Sequence, residues 1–332
     1  MKRFRSMAVI VGFTLLFALL ASACADDNMD NKGGNASIES PAAGGSAADN
    51  QEASEKTVVD DAGHQVVVPA DPQRIIAPYL EDPLVVLGEK PVAQVLYGNL
   101  EQNYLKEELS DVEIIDTTGG GLPLEKLLEL SPDLIILGKG MAEEGAYKQY
   151  AKIAPTFVVD NVNKNWRETL LQLGELLGKK QIAEEKLAMY DQKIQQTKEH
   201  LRQTIGEKEA AIIVLSDKEF YTMGHVQGGG LLFDELGVRP HPLTPAQEEW
   251  SALSLEKLGE LDADYIFVIK TERYLISDLE GNSLWTGLPA VRQGQVFEVE
   301  SGTWQYSGLI CNERKLADIM KAMPDQENKS AL

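Results

Sequence analysis

The sequence predicts an α/β protein of two doubly wound lobes joined by a single long rigid helix. Three observations predict it. Short apolar runs bounded by turn residues alternate with short helical patterns in both halves of the 332-residue chain, the signature of strands covered by helices on both faces of a parallel sheet. The pattern L-E-K-L-x-E-L-x-x-D-x-I occurs twice, at residues 124–135 and 255–266, an offset of 131 residues. That offset is far beyond solenoid periods of roughly 20–50 residues and is about one domain's length. Finally, residues 180–205 contain no Gly or Pro, and Ile182, Leu187, Tyr190, Ile194 and Leu201 fall on one helical stripe; at ~1.5 Å per residue this helix spans about 39 Å, enough to connect two lobes.

The elements follow in order. Thr57–Pro69 reads as a β-hairpin around Gly63, and Arg74–Ala77 as a buried strand. Pro83–Gly88 is a short helix ended by glycine; Val92–Tyr97, Leu134–Leu137 and Thr156–Val159 complete the strands of the first lobe. The second lobe opens with the strand Ala210–Leu215, continues with a glycine-started helix over Gly228–Gly237, and adds strands at Tyr265–Ile269 and Gln295–Val299. A terminal helix is expected over 313–323. The resulting domains are an N-terminal lobe over 56–178, the interlobe helix over 179–206, a C-terminal lobe over 207–325 and a polar tail over 326–332.

The segment ahead of the lobes sets the compartment. Lys2, Arg3 and Arg5 precede an apolar run from Met7 to Leu20, of signal-peptide length and short for a membrane span. Ala21-Ser22-Ala23-Cys24 follows and resembles the lipobox of bacterial lipoproteins, with Ala21 where Leu is commoner. Residues 1–23 are therefore expected to be a lipoprotein signal peptide, and the resemblance implies acylation of Cys24. Residues 24–55 hold almost nothing to bury and read as a flexible tether. With Cys24 lipidated, Cys311 is the remaining cysteine and no intrachain disulfide forms.

The chain carries 31 Lys and Arg against 52 Asp and Glu, a net charge of −21, which becomes −24 once the three cations of the leader are removed. Long-range attraction to nucleic acid or anionic lipid is thereby disfavoured. His64, His200, His225 and His241 are scattered without ligand spacing, so no resident metal site or cofactor is expected. Gly224–Gly230 sits between a strand and a helix but matches neither G-x-G-x-x-G nor a P-loop. Ser216 and Asp217 lack a nucleophile elbow and a placed histidine. The chain is read as a binder, not an enzyme.

In doubly wound sheets ligands bind beyond the carboxyl ends of the strands. This rule selects the loops at Tyr79–Asp82, Tyr97–Asn99, Thr117–Gly121 and Gly138–Gly140 in the first lobe. In the second it selects Ser216–His225, Trp250, Lys270–Tyr274 and Trp304–Tyr306. Trp250 and Trp304 have polar neighbours and are candidates for an aromatic wall, the competing reading being that both are core. Lys139, Lys270 and Arg273 are candidate charge contacts or solvated surface cations, and Tyr97 and Tyr221 are weaker candidates.

The order of pieces resembles the ABC-transporter substrate-binding lipoproteins that capture ferric siderophores, haem or cobalamin. The residues that carry the likeness are the hairpin D-D-A-G-x-x-V-x-V-P at 60–69, the P-Q-R-I-I-A strand, both L-E-K-L segments, the connecting helix, and W-x-G-L-P-A-V-R-Q-G-Q-V-F-E-V at 285–299. The resemblance covers about residues 57–323. It implies a class III periplasmic-binding-protein-like architecture with a shallow cleft and little closure. It also implies one glutamate on each lobe docking into a basic pocket of a permease dimer, at Glu125 and Glu256; the plainer reading of each is an exposed residue favoured by a helix start.

Tyr79, Tyr97, Lys139, Tyr221, His225, Trp250, Lys270, Arg273, Trp304 and Tyr306 are the candidate ligand contacts, with Trp250, Trp304 and Tyr306 matching aromatics of hydroxamate pockets. Hydroxamate binders often carry an arginine where this chain has Gly119-Gly120-Gly121. That shortage of cations favours a ferric hydroxamate or citrate-hydroxamate over a triply anionic tris-catecholate. The expected ligand is a Fe(III)-siderophore chelate and the expected protein a monomer tethered through Cys24 on the extracytoplasmic face. Haem or cobalamin is the alternative, with Tyr221, Met223 and His225 as candidate axial ligands.

Overall fold

The repeated aspartates make the same clasp in both lobes. The structure, a computed structural model, describes residues 55–96, 102–118, 121–160, 164–216, 219–271 and 276–323, all within one unit spanning Gln51–Leu332. Cys24, Tyr97 and Arg273 lie outside the described residues. Asp133 accepts the N–H groups of Gln73 and Arg74 on its carboxylate at 2.7 and 2.9 Å, and its own N–H donates to the Arg74 carbonyl at 3.0 Å. Asp264 accepts the Glu209 N–H at 2.9 Å and donates its own N–H to the Glu209 carbonyl at 2.9 Å. Each aspartate therefore fastens the first strand of its sheet to the strand that follows the repeated helix, so the sequence repeat is a structural one.

The hairpin comes first, β1 (Lys56–Val59) antiparallel to β2 (Gln65–Val68). Buried Asp60 holds its turn by accepting the N–H groups of Ala62 and His64 at 3.0 and 2.7 Å, and ties it to the first lobe through the Val158 N–H at 3.1 Å. Gly63, at φ +86°, supplies the left-handed step that the turn requires. This is the physical content of the D-D-A-G turn at 60–63.

The first lobe runs β3 (Ile75–Ile76), α1 (Glu81–Val86), β4 (Ala93–Leu96), β5 (Glu113–Asp116), α2 (Leu124–Leu130), β6 (Leu134–Gly138), α3 (Glu144–Tyr150), β7 (Thr156–Val159) and α4 (Trp166–Leu176). Its five strands are all parallel, in the order β5-β4-β3-β6-β7. The order reverses between β3 and β6, which makes the crevice beyond their carboxyl ends the expected ligand position.

The connecting helix α5 (Lys180–Thr204) buries Ala183, Leu187, Tyr190, Ile194, Thr197 and Leu201. Ile182, expected on that stripe, is instead 39 % exposed, because Ala183 takes the inward position against Gly174 of α4.

The second lobe runs β8 (Glu209–Ser216), β9 (Glu219–Met223), α6 (Gln227–Gly229) continued by a π turn (Gly230–Glu235), β10 (Arg239–Pro240), β11 (Trp250–Leu253), α7 (Leu255–Leu258), β12 (Tyr265–Lys270), α8 (Ser283–Gly287), α9 (Pro289–Arg292), β13 (Val296–Glu300), α10 (Ser301–Trp304) and α11 (Leu309–Ala322). Its sheet runs β11-β9-β8-β12-β13 and is mixed: β9 and β11 are antiparallel additions to a parallel centre. The terminal helix begins at Leu309, four residues before the expected start at 313.

One apolar cluster runs from Ile75 and Leu134 in the first lobe, through Tyr190 and Ile194 of α5, to Ile212 and Phe267 in the second. A hydrophobic core shared in this way resists relative movement of the lobes, because any shift opens contacts throughout it.

Candidate ligand cleft and lobe junction

The strand ends of the first lobe present Tyr79 and Lys139 on either side of the β3/β6 reversal. Tyr79 is half-buried at φ +61°, a costly conformation for a non-glycine residue, and its hydroxyl pairs with the Thr117 hydroxyl at 2.9 Å. The exposed Lys139 ammonium stands 3.8 Å from Asp160. Next to them Gly121, Leu122, Gly140, Met141, Glu143 and Gln149 line an open depression of about 500 Å³.

In the second lobe, Trp250 is half-buried at the start of β11 opposite Met223. Tyr221 is half-buried on β9, and Lys270 is exposed at the end of β12 opposite Glu300. His225 pairs through Nδ1 with Asp234 at 2.6 Å. The haem-ligand set is broken at Met223, which is fully buried and whose sulfur accepts the Gly229 N–H at 3.3 Å.

Two expectations are corrected. Trp304 is a core residue with no exposed surface: its ring stacks on Phe267 at 4.9 Å, and its indole N–H donates to Asp318 at 2.9 Å. The polar neighbours that suggested a surface position belong to the single turn of α10, which directs them away from the indole. Tyr306 is likewise 7 % exposed and packs with Tyr104, Leu105 and Cys311. Both aromatics stabilise the wall of the cleft from behind.

The lobe junction itself is polar and was not visible from the sequence. Asp82, at the start of α1, accepts the N–H groups of Ile310 and Cys311 at 3.2 and 2.9 Å. It caps the first turn of α11 from a position 228 residues earlier in the chain, satisfying donors that a helix start leaves open. Gly308 permits the approach, since a Cβ there would lie 2.5 Å from the Asp82 carboxyl carbon. Buried Lys315 donates to the Tyr306 carbonyl and, at 2.9 Å, to Asn312. On the far side of the crevice Arg167 bridges Glu235 at 2.8 Å and lies over the rings of Trp166 and Tyr190, while Tyr190 also donates to Glu235 at 3.1 Å. Lys164 and Glu249 approach to 3.9 Å across the lobes. A small pocket of about 10 Å³ lies beside this cap, lined by Tyr79, Asp82, Trp166 and Gly308, about the volume of one water.

This junction is electrostatically loaded. Burial pushes Glu81 up to about 7 against the hydrogen bonds from Gln102 and the Val95 N–H. Burial likewise raises Asp82 to about 6, opposed by the α11 N–H groups and Lys315. Burial lowers Lys315 and lifts the Cys311 thiol to about 12, which leaves it a neutral apolar filler.

A family model described as periplasmic binding protein matches residues 84–302. The chain belongs to that family. It is a family of binding proteins and not of enzymes, in agreement with the sequence. The iron(3+)-hydroxamate-binding protein FhuD of Bacillus subtilis is 28 % identical over 325 residues, covering 94 % of this chain and 96 % of FhuD. The iron(3+)-hydroxamate-binding protein YxeB of the same organism is 30 % identical over 306 residues, covering 87 % and 88 %. A solved structure, a periplasmic binding protein component of a Fep/Fec-like ferrichrome ABC transporter from Bacillus subtilis, superposes with a TM-score of 0.69 at 24 % identity, covering 80 % of this chain and 99 % of the other. It shares the FhuD fold.

As a member of this family the chain displays its periplasmic-binding-protein architecture, and the buried Glu81 carboxyl of its first lobe has a pH consequence. Glu81 binds its proton more tightly folded than unfolded, so its contribution to stability is full below its ordinary value of 4.5 and is lost as pH rises through about 7. Glu81→Gln, neutral and nearly isosteric, should remove that loss, flattening urea-derived stability between pH 5 and 7.5 by on the order of 2–3 kcal/mol relative to the parent. Identical pH slopes in the two proteins would show that Glu81 stays ionised throughout.

Proposed function

We propose that this chain is an extracytoplasmic solute-binding lipoprotein that captures a ferric siderophore, of hydroxamate or citrate-hydroxamate type, in the cleft between its lobes and delivers it to a dimeric ABC permease. The observation that carries this reading is the alignment of iron-hydroxamate-binding relatives over nearly the whole chain. The site chemistry is in keeping with it. The two lobes offer the half-buried aromatics Tyr79, Tyr221 and Trp250, and the exposed cations Lys139 and Lys270. Aromatic faces supply contact area at low entropy cost to a bulky, partly apolar chelate. With few cations gathered there, a neutral or weakly charged complex is the better partner than a strongly anionic one. The iron arrives already chelated, and among the described residues no His, Cys, Asp and Glu cluster is arranged to hold a bare metal ion.

Cys24 carries the lipid and residues 25–55 act as the leash in this reading. Among the described residues no helix is long and apolar enough to cross a membrane. Glu125 and Glu256, exposed at the starts of the two repeated helices α2 and α7, are the docking residues, one for each half of the permease.

Titration of the body from residue 55 onward, followed by tryptophan fluorescence, tests the ligand. Ferrioxamine B, ferrichrome, a ferric citrate-hydroxamate, ferric citrate, a ferric catecholate, haemin and cobalamin form the panel. Submicromolar quenching by a hydroxamate-containing complex is expected. Trp250→Ala should weaken it by about 1–3 kcal/mol with the fold intact, whereas Trp304→Ala should cost about 3–5 kcal/mol of stability. A response confined to haemin or cobalamin would replace the siderophore with those ligands. Glu125→Ala combined with Glu256→Ala should leave this quenching unchanged and abolish import of the ferric complex by cells; unimpaired import would remove the docking role.

A further inference from the structure

The two repeated helices share more than a glutamate. In α2, Lys126 is held by Glu129 at 3.2 Å and by Glu113 at 2.7 Å; in α7, Lys257 is held by Glu260 at 2.7 Å. Each lysine is thus neutralised by neighbouring glutamates, Glu113 of β5 and Glu129 in the first lobe and Glu260 in the second, and among the described residues no cation pairs with Glu125 or Glu256. One turn beyond Glu125, Leu128 stands 61 % exposed. The repeat places Gly259 at the matching position of α7, which would leave the second face bare. It is not bare: Leu284, from α8, lies with a methyl 3.3 Å from where a Gly259 Cβ would stand, and is 42 % exposed. The neighbouring Leu255 is 47 % exposed. Among the described residues, every exposed leucine lies on one of these two surfaces.

Single exposed apolar residues scattered over a surface need no explanation. These are not scattered. Each sits beside an unpaired carboxylate, once per lobe, and in the second lobe the leucine is supplied by a different helix to the same place. Preservation of a surface feature by different means indicates that the feature, and not the local sequence, is what the fold maintains.

We propose that Leu128 on the first lobe, and Leu284 with Leu255 on the second, are paired apolar anchors of the permease-docking surface. They seat in two equivalent apolar sockets, each next to a basic pocket that receives Glu125 or Glu256. This rests on the docking reading given above and extends it from two charges to two composite patches. The glutamates steer and orient through long-range attraction, whereas the leucines, buried on contact, hold the complex. The occupant is a two-fold symmetric membrane partner because the patches are two copies of one arrangement on a single chain.

The test uses the full-length chain in cells that lack the native copy, with uptake of ⁵⁵Fe bound to ferrioxamine B, ferrichrome or citrate, whichever the parent protein imports. Leu128→Ala with Leu284→Ala should lower uptake roughly tenfold, by the same factor at low and high ionic strength, with thermal midpoint and fluorescence quenching unchanged. Leu128→Met with Leu284→Met should restore it, and Val67→Ala, which trims an equally exposed residue of the hairpin, should do nothing. Parental uptake by the leucine variants beside failure of Glu125→Ala/Glu256→Ala would overturn the anchors and leave the charged docking standing. Parental uptake by both sets, or no uptake of any complex by the parent itself, would overturn the docking reading and the anchors together.

Discussion

The hydrogen bonds from the start of α11 to the Asp82 carboxylate hold the rest of the structure in register. Asp82 stands at the start of α1, and the helix it caps begins 228 residues further along the chain at Ile310. An N-terminal cap is ordinarily a local device worth about 1 kcal/mol. Here the cap comes from the other end of the chain, so it ties α1 to the terminal helix as well as closing the end of one helix. Its surroundings follow from it. Gly308 has no side chain because the carboxylate occupies that space, and Lys315 is buried within the same group, one side of its charge satisfied by Asn312 and the Tyr306 carbonyl. Arg167 and Glu235 fasten the other flank. A shared apolar core encloses both ties.

Under the proposed function, this construction suits a protein that holds a bulky chelate and presents it to a membrane partner. The strands of the first lobe reverse order between Tyr79 and Lys139; in the second lobe Lys270 ends β12, while Tyr221 lies within β9. Contacts from two lobes converge on a ligand only if the lobes keep their spacing. The same spacing sets the distance between α2 and α7, and therefore between the two patches a symmetric partner reads. A junction whose pocket has about the volume of one water serves both ends of the task.

Much of the architecture was legible because the information is local or repeated. The D-D-A-G turn closes on itself through Asp60, the duplicated aspartates make duplicated clasps, and α5 shows its stripe over 25 residues. The antiparallel strands β9 and β11 were missed because each is short, and nothing in Trp250–Leu253 alone says that it pairs with Phe220–Met223. The start of α11 was placed late for a related reason: its cap has no signature within the neighbouring residues when the capping carboxylate lies 228 residues earlier in the chain. The site was less legible than the fold. Trp304 looked like a surface aromatic from its polar neighbours, and only tertiary packing reveals a ring stacked on Phe267 with its N–H given to Asp318. Tyr79 follows β3 at the reversal of strand order, whereas Trp250 opens β11 at its amino end, opposite Met223.

The central claim is that the buried Asp82 carboxylate, by tying α1 to the terminal helix, holds the lobes as one body. Spin labels at Lys148→Cys on α3 and Lys257→Cys on α7, in the body lacking Cys24 and with Cys311 buried, measure the separation of the lobes directly by pulsed dipolar spectroscopy. A single narrow distance distribution is predicted for the parent, and a broader one, displaced to longer distance, for the same protein carrying Asp82→Asn with its helical content retained. Superimposable distributions would contradict the account and assign the rigidity of the junction to the apolar core alone.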